Sequence, residues 1–113
     1  MKSLVFVYGT LKRGFSNNAI LGNSRLIGDW RTDPVFKMLH LGYFPGVVFP
    51  GEDSIKGELF EVNDVIMEKL DVLEGYPTLF DKTMIETPHG PAYMYLYNQI
   101  PNRAYTDIRQ GVW

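Results

Sequence analysis

Two short stretches of this 113-residue chain have residue types and spacing that could do chemistry. The first is Tyr8-Gly9-Thr10-Leu11-Lys12-Arg13-Gly14, directly after the apolar run Leu4-Val5-Phe6-Val7. A β-type run stops at a glycine, and a second glycine follows at position 14. Glycine has no Cβ, so the backbone there can turn its N–H groups toward a ligand or take up positive φ. Such a loop can bind an anion or a developing oxyanion through main-chain donors. An ordinary strand-to-loop turn would use the same residues. A phosphate loop is excluded: Phe15-Ser16 follow Gly14, where a lysine and then a hydroxyl residue are required.

The second stretch is Leu70-Asp71-Val72-Leu73-Glu74-Gly75-Tyr76-Pro77. Glu74 falls at the end of an expected helix, where the peptide dipoles leave partial negative charge. Its neighbours Leu73, Tyr76 and Leu79 are apolar or aromatic. Both effects disfavour the ionised carboxylate and raise its pKa. A glutamate tuned upward can take and give a proton near neutral pH, whereas a solvated helix-end glutamate would do neither. Asp71 is read as a solvated or loop-anchoring carboxylate. His40 is read as a packed or surface imidazole and His89 as a solvated turn residue. Two such distant histidines suggest no metal site, and the serines lack a nucleophile-elbow context.

These residues must be held by a small domain, and a single one over residues 1–113 is expected. The chain is 45% hydrophobic and 14% aromatic, enough for a sizeable core. A domain of this size hides roughly two-thirds of its unfolded surface. Eleven basic residues face 13 acidic ones, with no basic stripe among aromatics, so no nucleic-acid partner is expected. The chain has no cysteine, which removes disulfides, thiolate nucleophiles and cysteine metal sites. No apolar stretch approaches a signal h-region or a membrane span, so no membrane partner and a cytoplasmic location are expected.

Strands are expected over Leu4–Tyr8, Arg25–Arg31, Phe36–Leu41, Val47–Phe49, Ile55–Val62, Phe80–Thr87 and Ala92–Tyr97. Tyr43 to Gly46 reads as a turn, Pro50-Gly51 as punctuation and Pro88 to Pro91 as a hairpin turn. Asn17–Leu21 reads as a short helical turn. The clear helix is capped by Asn63 or Asp64, carries Ile66, Leu70 and Leu73 on one face, and stops at Gly75 and Pro77. On the last strand Ala92, Met94 and Leu96 point one way and Tyr93, Tyr95 and Tyr97 the other. Bulky residues on both faces place it in a barrel or between a sheet and a helix. The tail from Asn98 has little regularity, and Val112-Trp113 reads as a docked end. The class is α+β.

Val7-Tyr8-Gly9-Thr10-Leu11-Lys12-Arg13-Gly14, Gly57-Glu58-Leu59-Phe60-Glu61-Val62 and Leu70-Asp71-x-x-Glu74-Gly75 together resemble the γ-glutamylcyclotransferase-like family. Gly111-x-Trp113 is similar to the ending of its γ-glutamylamine cyclotransferase (AIG2-like) branch. The resemblance implies a small mixed β-barrel flanked by short helices. It implies an enzyme that releases an amine or amino acid from a γ-glutamyl compound and closes the glutamyl part into 5-oxoproline. The partner is then a small-molecule γ-glutamyl substrate, and no metal or cofactor is needed. Tyr8, Gly9, Thr10 and Leu11 would hold the glutamyl group, largely through backbone N–H groups, and Glu74 would be the acid/base. The substrate's own α-amine is the nucleophile in this chemistry, which fits a chain without cysteine or a serine triad. One departure stands out. Family members commonly carry a tyrosine and then a basic residue a few positions after the glutamate, whereas this chain has Phe80-Asp81-Lys82. The missing hydroxyl bears on pocket polarity and substrate choice, and leaves a non-catalytic binding module as the alternative.

Overall fold

A computed structural model describes residues 1–98, 106–108 and 110–113. The apolar run before Gly9 forms β1 (Lys2–Val7), and the turn after the glycine loop is a single 3-10 turn over Asn18–Leu21. β2 (Arg25–Arg31), β3 (Phe36–His40), β4 (Pro45–Asp53) and β5 (Lys56–Asn63) follow. The helix α1 (Asp64–Leu73) leads into the hairpin β6 (Phe80–Thr87) and β7 (Gly90–Tyr97), and β8 is Thr106–Asp107.

The strands form two sheets: one of five in the order β2-β5-β1-β7-β6, the other of three in the order β4-β3-β8. β1 runs antiparallel to β5 and parallel to β7, so the larger sheet is mixed. It does not close. Among the described residues β2 and β6 are its opposite edges, so the fold is α+β with a mixed sheet that lacks the closure expected of a barrel. Val5 and Val7 of β1 join Phe60, Val62, Leu70, Phe80 and Tyr95 in one core cluster. Phe6 joins Met38, Val47, Leu59, Ala92 and Met94 in another. Both faces of these strands are apolar, and each is covered by another layer. The tyrosines of β7 fall with the first cluster, and Ala92, Met94 and Leu96 with the second, the alternation expected from a period of two.

α1 starts where Asn63 Oδ1 accepts the Ile66 N–H at 2.8 Å, satisfying one first-turn donor. It ends at Glu74, followed by Gly75 with φ +63, the left-handed conformation a glycine adopts without strain. Leu70 is fully buried, Ile66 is half-buried, and Leu73 lies at the edge of the helix face.

Two expected turns lie inside strands instead. Pro45-Gly46 opens β4, and Pro50-Gly51 sits within it. The register jumps from Phe36↔Asp53 to Lys37↔Val48, so the residues around Pro50 form a bulge and the Gly51 N–H donates to Val35 O at 2.7 Å. The hairpin turn is also tighter than expected, since Thr87 pairs with Gly90 and Pro91 belongs to β7. The expected irregular tail contains β8, which pairs with β3; residues 99–105 and 109 lie outside the described part. Trp113 is docked, with its ring centroid 5.0 Å from that of His40 and its carbonyl oxygen accepting from Lys12 Nζ at 2.8 Å.

Candidate active site

β1 delivers the glycine loop to the same place where α1 ends. A cavity of about 290 Å³ opens there, and both stretches singled out in the sequence line it. Tyr8, Gly9, Thr10 and Leu11 form one wall, and Leu73 and Glu74 form another. Phe80 and Tyr95 come from the β6–β7 hairpin, Tyr43 and Phe44 from the turn before β4, and Pro45 from its first position. The volume sits at the lower end of the roughly 300–1,000 Å³ usual for small-molecule sites.

The loop wall is backbone-rich. Lys12 N–H donates to Gly9 O at 3.1 Å, which curls the chain back on itself. Among the described residues, the N–H groups of Gly9, Thr10 and Leu11 have no protein acceptor. Two asparagines brace the curl. Asn17 donates from Nδ2 to Thr10 Oγ1 at 2.9 Å and from its own N–H to Thr10 O at 2.9 Å. Asn18 Nδ2 donates to Leu11 O at 2.8 Å. Beyond the cavity, Glu58 of β5 accepts the Arg13 N–H at 2.8 Å and Arg13 Nε at 3.0 Å. Gly9 meets the requirement for a residue without Cβ by close approach, not by positive φ. A Cβ there would stand 2.8 Å from Pro45 Cγ.

Glu74 is half-buried at the helix end, and desolvation pushes its carboxyl up to about 7. Burial, one of the two effects expected from its place in the sequence, raises it in the folded chain. Tyr8 stays protonated as a donor, its phenol raised by burial and by the charge of Glu74. Its hydroxyl donates to Tyr95 O at 2.9 Å. Tyr95 is raised too, first by burial and then by its hydrogen bond to Asp71, whose Oδ1 accepts its hydroxyl at 2.6 Å. Asp71 is therefore an anchoring carboxylate, not a solvated one.

Some of the lining was not found from sequence. Tyr43, Phe44 and Pro45 read as a turn, although two adjacent aromatics in a turn are an available signal for a pocket rim. Ser16 and Asn17 also line the cavity, and nothing in their spacing points to it. Phe80, noted as a departure, is in the wall itself, packed between the Phe44 and Tyr97 rings. His40 and His89 are not in the lining. Among the described residues, no group of three or more histidine or carboxylate side chains converges to hold a metal ion, and no helix is long and apolar enough to cross a membrane.

Residues 5–113 match the family described as gamma-glutamyl cyclotransferase, AIG2-like. A Vibrio cholerae protein, named provisionally as a gamma-glutamylcyclotransferase, is 40% identical over all of this chain and 96% of its own length. The family protein YtfP of Escherichia coli is 33% identical over 96% of this chain and 94% of its own. The solution structure of YtfP superposes with a TM-score of 0.78 at 34% identity, covering 97% of this chain and 95% of that one. A Pyrococcus horikoshii protein shares the fold, with a TM-score of 0.83 at 24% identity, over 97% of this chain and 88% of its own. By the family model and by these relatives, this chain is a member of the gamma-glutamyl cyclotransferase, AIG2-like family.

Proposed function

We propose that the chain is a γ-glutamylcyclotransferase-type enzyme that releases an amine or amino acid from a γ-glutamyl compound and forms 5-oxoproline. The observation that carries this reading is that Glu74, with its carboxyl raised to about 7, lines one cavity with Gly9, Thr10 and Leu11, whose N–H groups have no acceptor among the described residues.

The chemistry follows from the two walls. The loop donors hold the glutamyl group and fold it so that its α-nitrogen meets its own γ-carbonyl carbon. Holding reacting groups in place can lower an intramolecular barrier by about 7–11 kcal/mol. Glu74, ionised, takes a proton from the α-ammonium. The freed amine attacks the γ-carbonyl carbon, and the oxyanion that develops accepts from the backbone donors, each good donor contributing about 3–4 kcal/mol. The bond to the leaving nitrogen then breaks. Two protons leave the α-nitrogen and two reach the leaving nitrogen, and Glu74 carries them one at a time. A carboxyl near 7 suits both directions, because neither protonation state is far from its midpoint at neutral pH. No protein nucleophile takes part. Tyr8 contributes mainly through its backbone, since its hydroxyl is engaged by Tyr95 O. A cytoplasmic setting suits this reading, as the cysteine-free chain gains nothing from an oxidising compartment.

The test is release of 5-oxoproline from a panel of γ-glutamyl amines and γ-glutamyl amino acids. Turnover by the native chain, abolished in Glu74→Gln with folding intact, is the expected result. Undiminished turnover by Glu74→Gln defeats the mechanism. Phe80 favours a second reading, a binding module on the same cavity, because it puts a ring without a hydroxyl at that position of the lining. Calorimetric binding of a γ-glutamyl compound with no 5-oxoproline after long incubation would decide for it.

A further inference from the structure

The final turn of α1 is tied to the sheet through one ammonium group. Lys82 of β6 donates from Nζ to Asp71 Oδ1 at 2.9 Å and to Oδ2 at 3.1 Å. The pair is withdrawn from water, the Lys82 side chain being 12% exposed. The same ammonium lies 4.5 Å from the centre of the Tyr76 ring and 5.1 Å from that of Tyr93. Lys82 and Tyr95 are register partners across β6 and β7, so both reach the same carboxylate. Glu74 sits between the two gripped residues. Asp71 precedes it and Tyr76 follows it, and the Tyr76 N–H donates to Asp71 O at 2.9 Å, closing the turn.

Two consequences follow for the Glu74 carboxyl. Its position is set by residues held on both sides, and a displacement of about 1 Å in a reacting group can cost on the order of 100-fold in rate. Its charge environment is set as well. Tyr8 after β1 and Tyr95 on β7 interact electrostatically with it; Asp71 stands about one helical turn before it on α1, Tyr76 two residues after it in the turn, Lys82 on β6 pairs with Asp71, and Tyr43 is at the cavity rim. Asp71 is the other carboxylate of this set, and Lys82 is the cation that pairs with it. An unpaired Asp71 would oppose ionisation of Glu74, since a nearby like charge disfavours the charged form.

We propose that Lys82, acting through Asp71 and Tyr95, is the positioning residue for Glu74: it fixes where that carboxyl stands and screens it from the Asp71 charge. The inference rests on the reading of Glu74 as the proton carrier. It also gives a role to the basic residue two positions after Phe80, on a strand that supplies only Phe80 to the cavity wall.

The experiment compares Lys82→Met, Lys82→Arg and Tyr95→Phe in the full chain, using a γ-glutamyl substrate that the native protein turns over. In Lys82→Met, kcat falls by about 10- to 100-fold while KM changes little. The acid limb of its pH–rate profile moves up by about one pH unit. Lys82→Arg restores both. A carbon-13 NMR titration of Glu74 reads the same upward movement without needing turnover. A folded Lys82→Met with native kcat and a native Glu74 midpoint overturns the proposal. Should Lys82→Met fail to fold, Tyr95→Phe removes one hydroxyl from the same network, and native kcat and midpoint in that variant overturn it equally. Full activity in Glu74→Gln would sink the catalytic reading instead, and the NMR titration would still decide whether Lys82 governs Glu74.

Discussion

The ring of Pro45 packs directly on the backbone of Gly9, so that a Cβ at position 9 would stand 2.8 Å from Pro45 Cγ and 3.0 Å from Cδ. This contact joins the first loop to the start of β4, and both residues line the cavity. A proline ring is fixed to its own backbone and cannot swing aside as a long side chain would. Gly9→Ala is therefore expected to move the loop or β4, at a cost of about 1–3 kcal/mol from overpacking. Thermal denaturation should show the loss, and KM for a γ-glutamyl substrate should rise with it. Native stability and native KM in this variant would mean that the loop tolerates the displacement.

Glu74 should make the fold less stable as pH rises. Its carboxyl titrates near 7 when folded and near 4.5 when free, so the folded chain binds the extra proton between those values. Stability is then greatest below about 4.5 and falls as pH climbs through about 7. Glu74→Gln carries no such proton. It is expected to melt above the native chain at pH 8 and to converge with it toward pH 4.5. With allowance for the solvent-facing side of the carboxyl, the gap should be on the order of 1–2 kcal/mol. Parallel melting curves at several pH values check this, and a constant gap would contradict it.

The same titration should shape the rate. Glu74 must be ionised in the free enzyme to accept the α-ammonium proton, so kcat/KM should rise with pH through about 7. In Glu74→Gln that limb should vanish along with about 100- to 10,000-fold of the rate. Any residual rate should climb at alkaline pH, where the substrate amine loses its proton unaided. A 5-oxoproline assay across pH decides between these outcomes.

Glu58 holds the far end of the loop. It is buried, and it accepts both the main-chain N–H and the Nε of Arg13. Glu58→Ala leaves that main-chain N–H without its acceptor, for a loss of about 1–3 kcal/mol. Because the segment from Gly9 to Arg13 is short, loosening Arg13 should loosen the donors too and raise KM. Glu58→Gln keeps one oxygen acceptor and should fall between Ala and the native residue. Chemical denaturation and substrate titration measure the two effects separately.

Local patterns in the chain determine much of what was found. The helix bounds follow from Asn63 at one end and Gly75 at the other, since capping and left-handed termination depend on a few adjacent residues. The two-faced burial of β1 and β7 follows from apolar residues on both sides of each strand. The helix-end position and apolar neighbours of Glu74 were enough to expect a raised carboxyl, because desolvation begins with residues close in sequence. The Tyr8 to Leu11 loop was legible for the same reason: a strand ends at a glycine.

Other features were decided only when distant segments met. Whether the sheet closes depends on which strands stand at its edges, and no single strand encodes that. Pro50-Gly51 became a bulge and not a strand end because β3 supplied partners on both sides of it. Pro45 over Gly9, Tyr43 and Phe44 at the rim, and Lys82 and Tyr95 converging on Asp71 are all contacts between residues far apart along the chain. Side-chain chemistry and local dihedral preference can be read along one strand or helix. The distance between a carboxylate and a backbone donor is a property of packing, and it exists only once the layers have assembled.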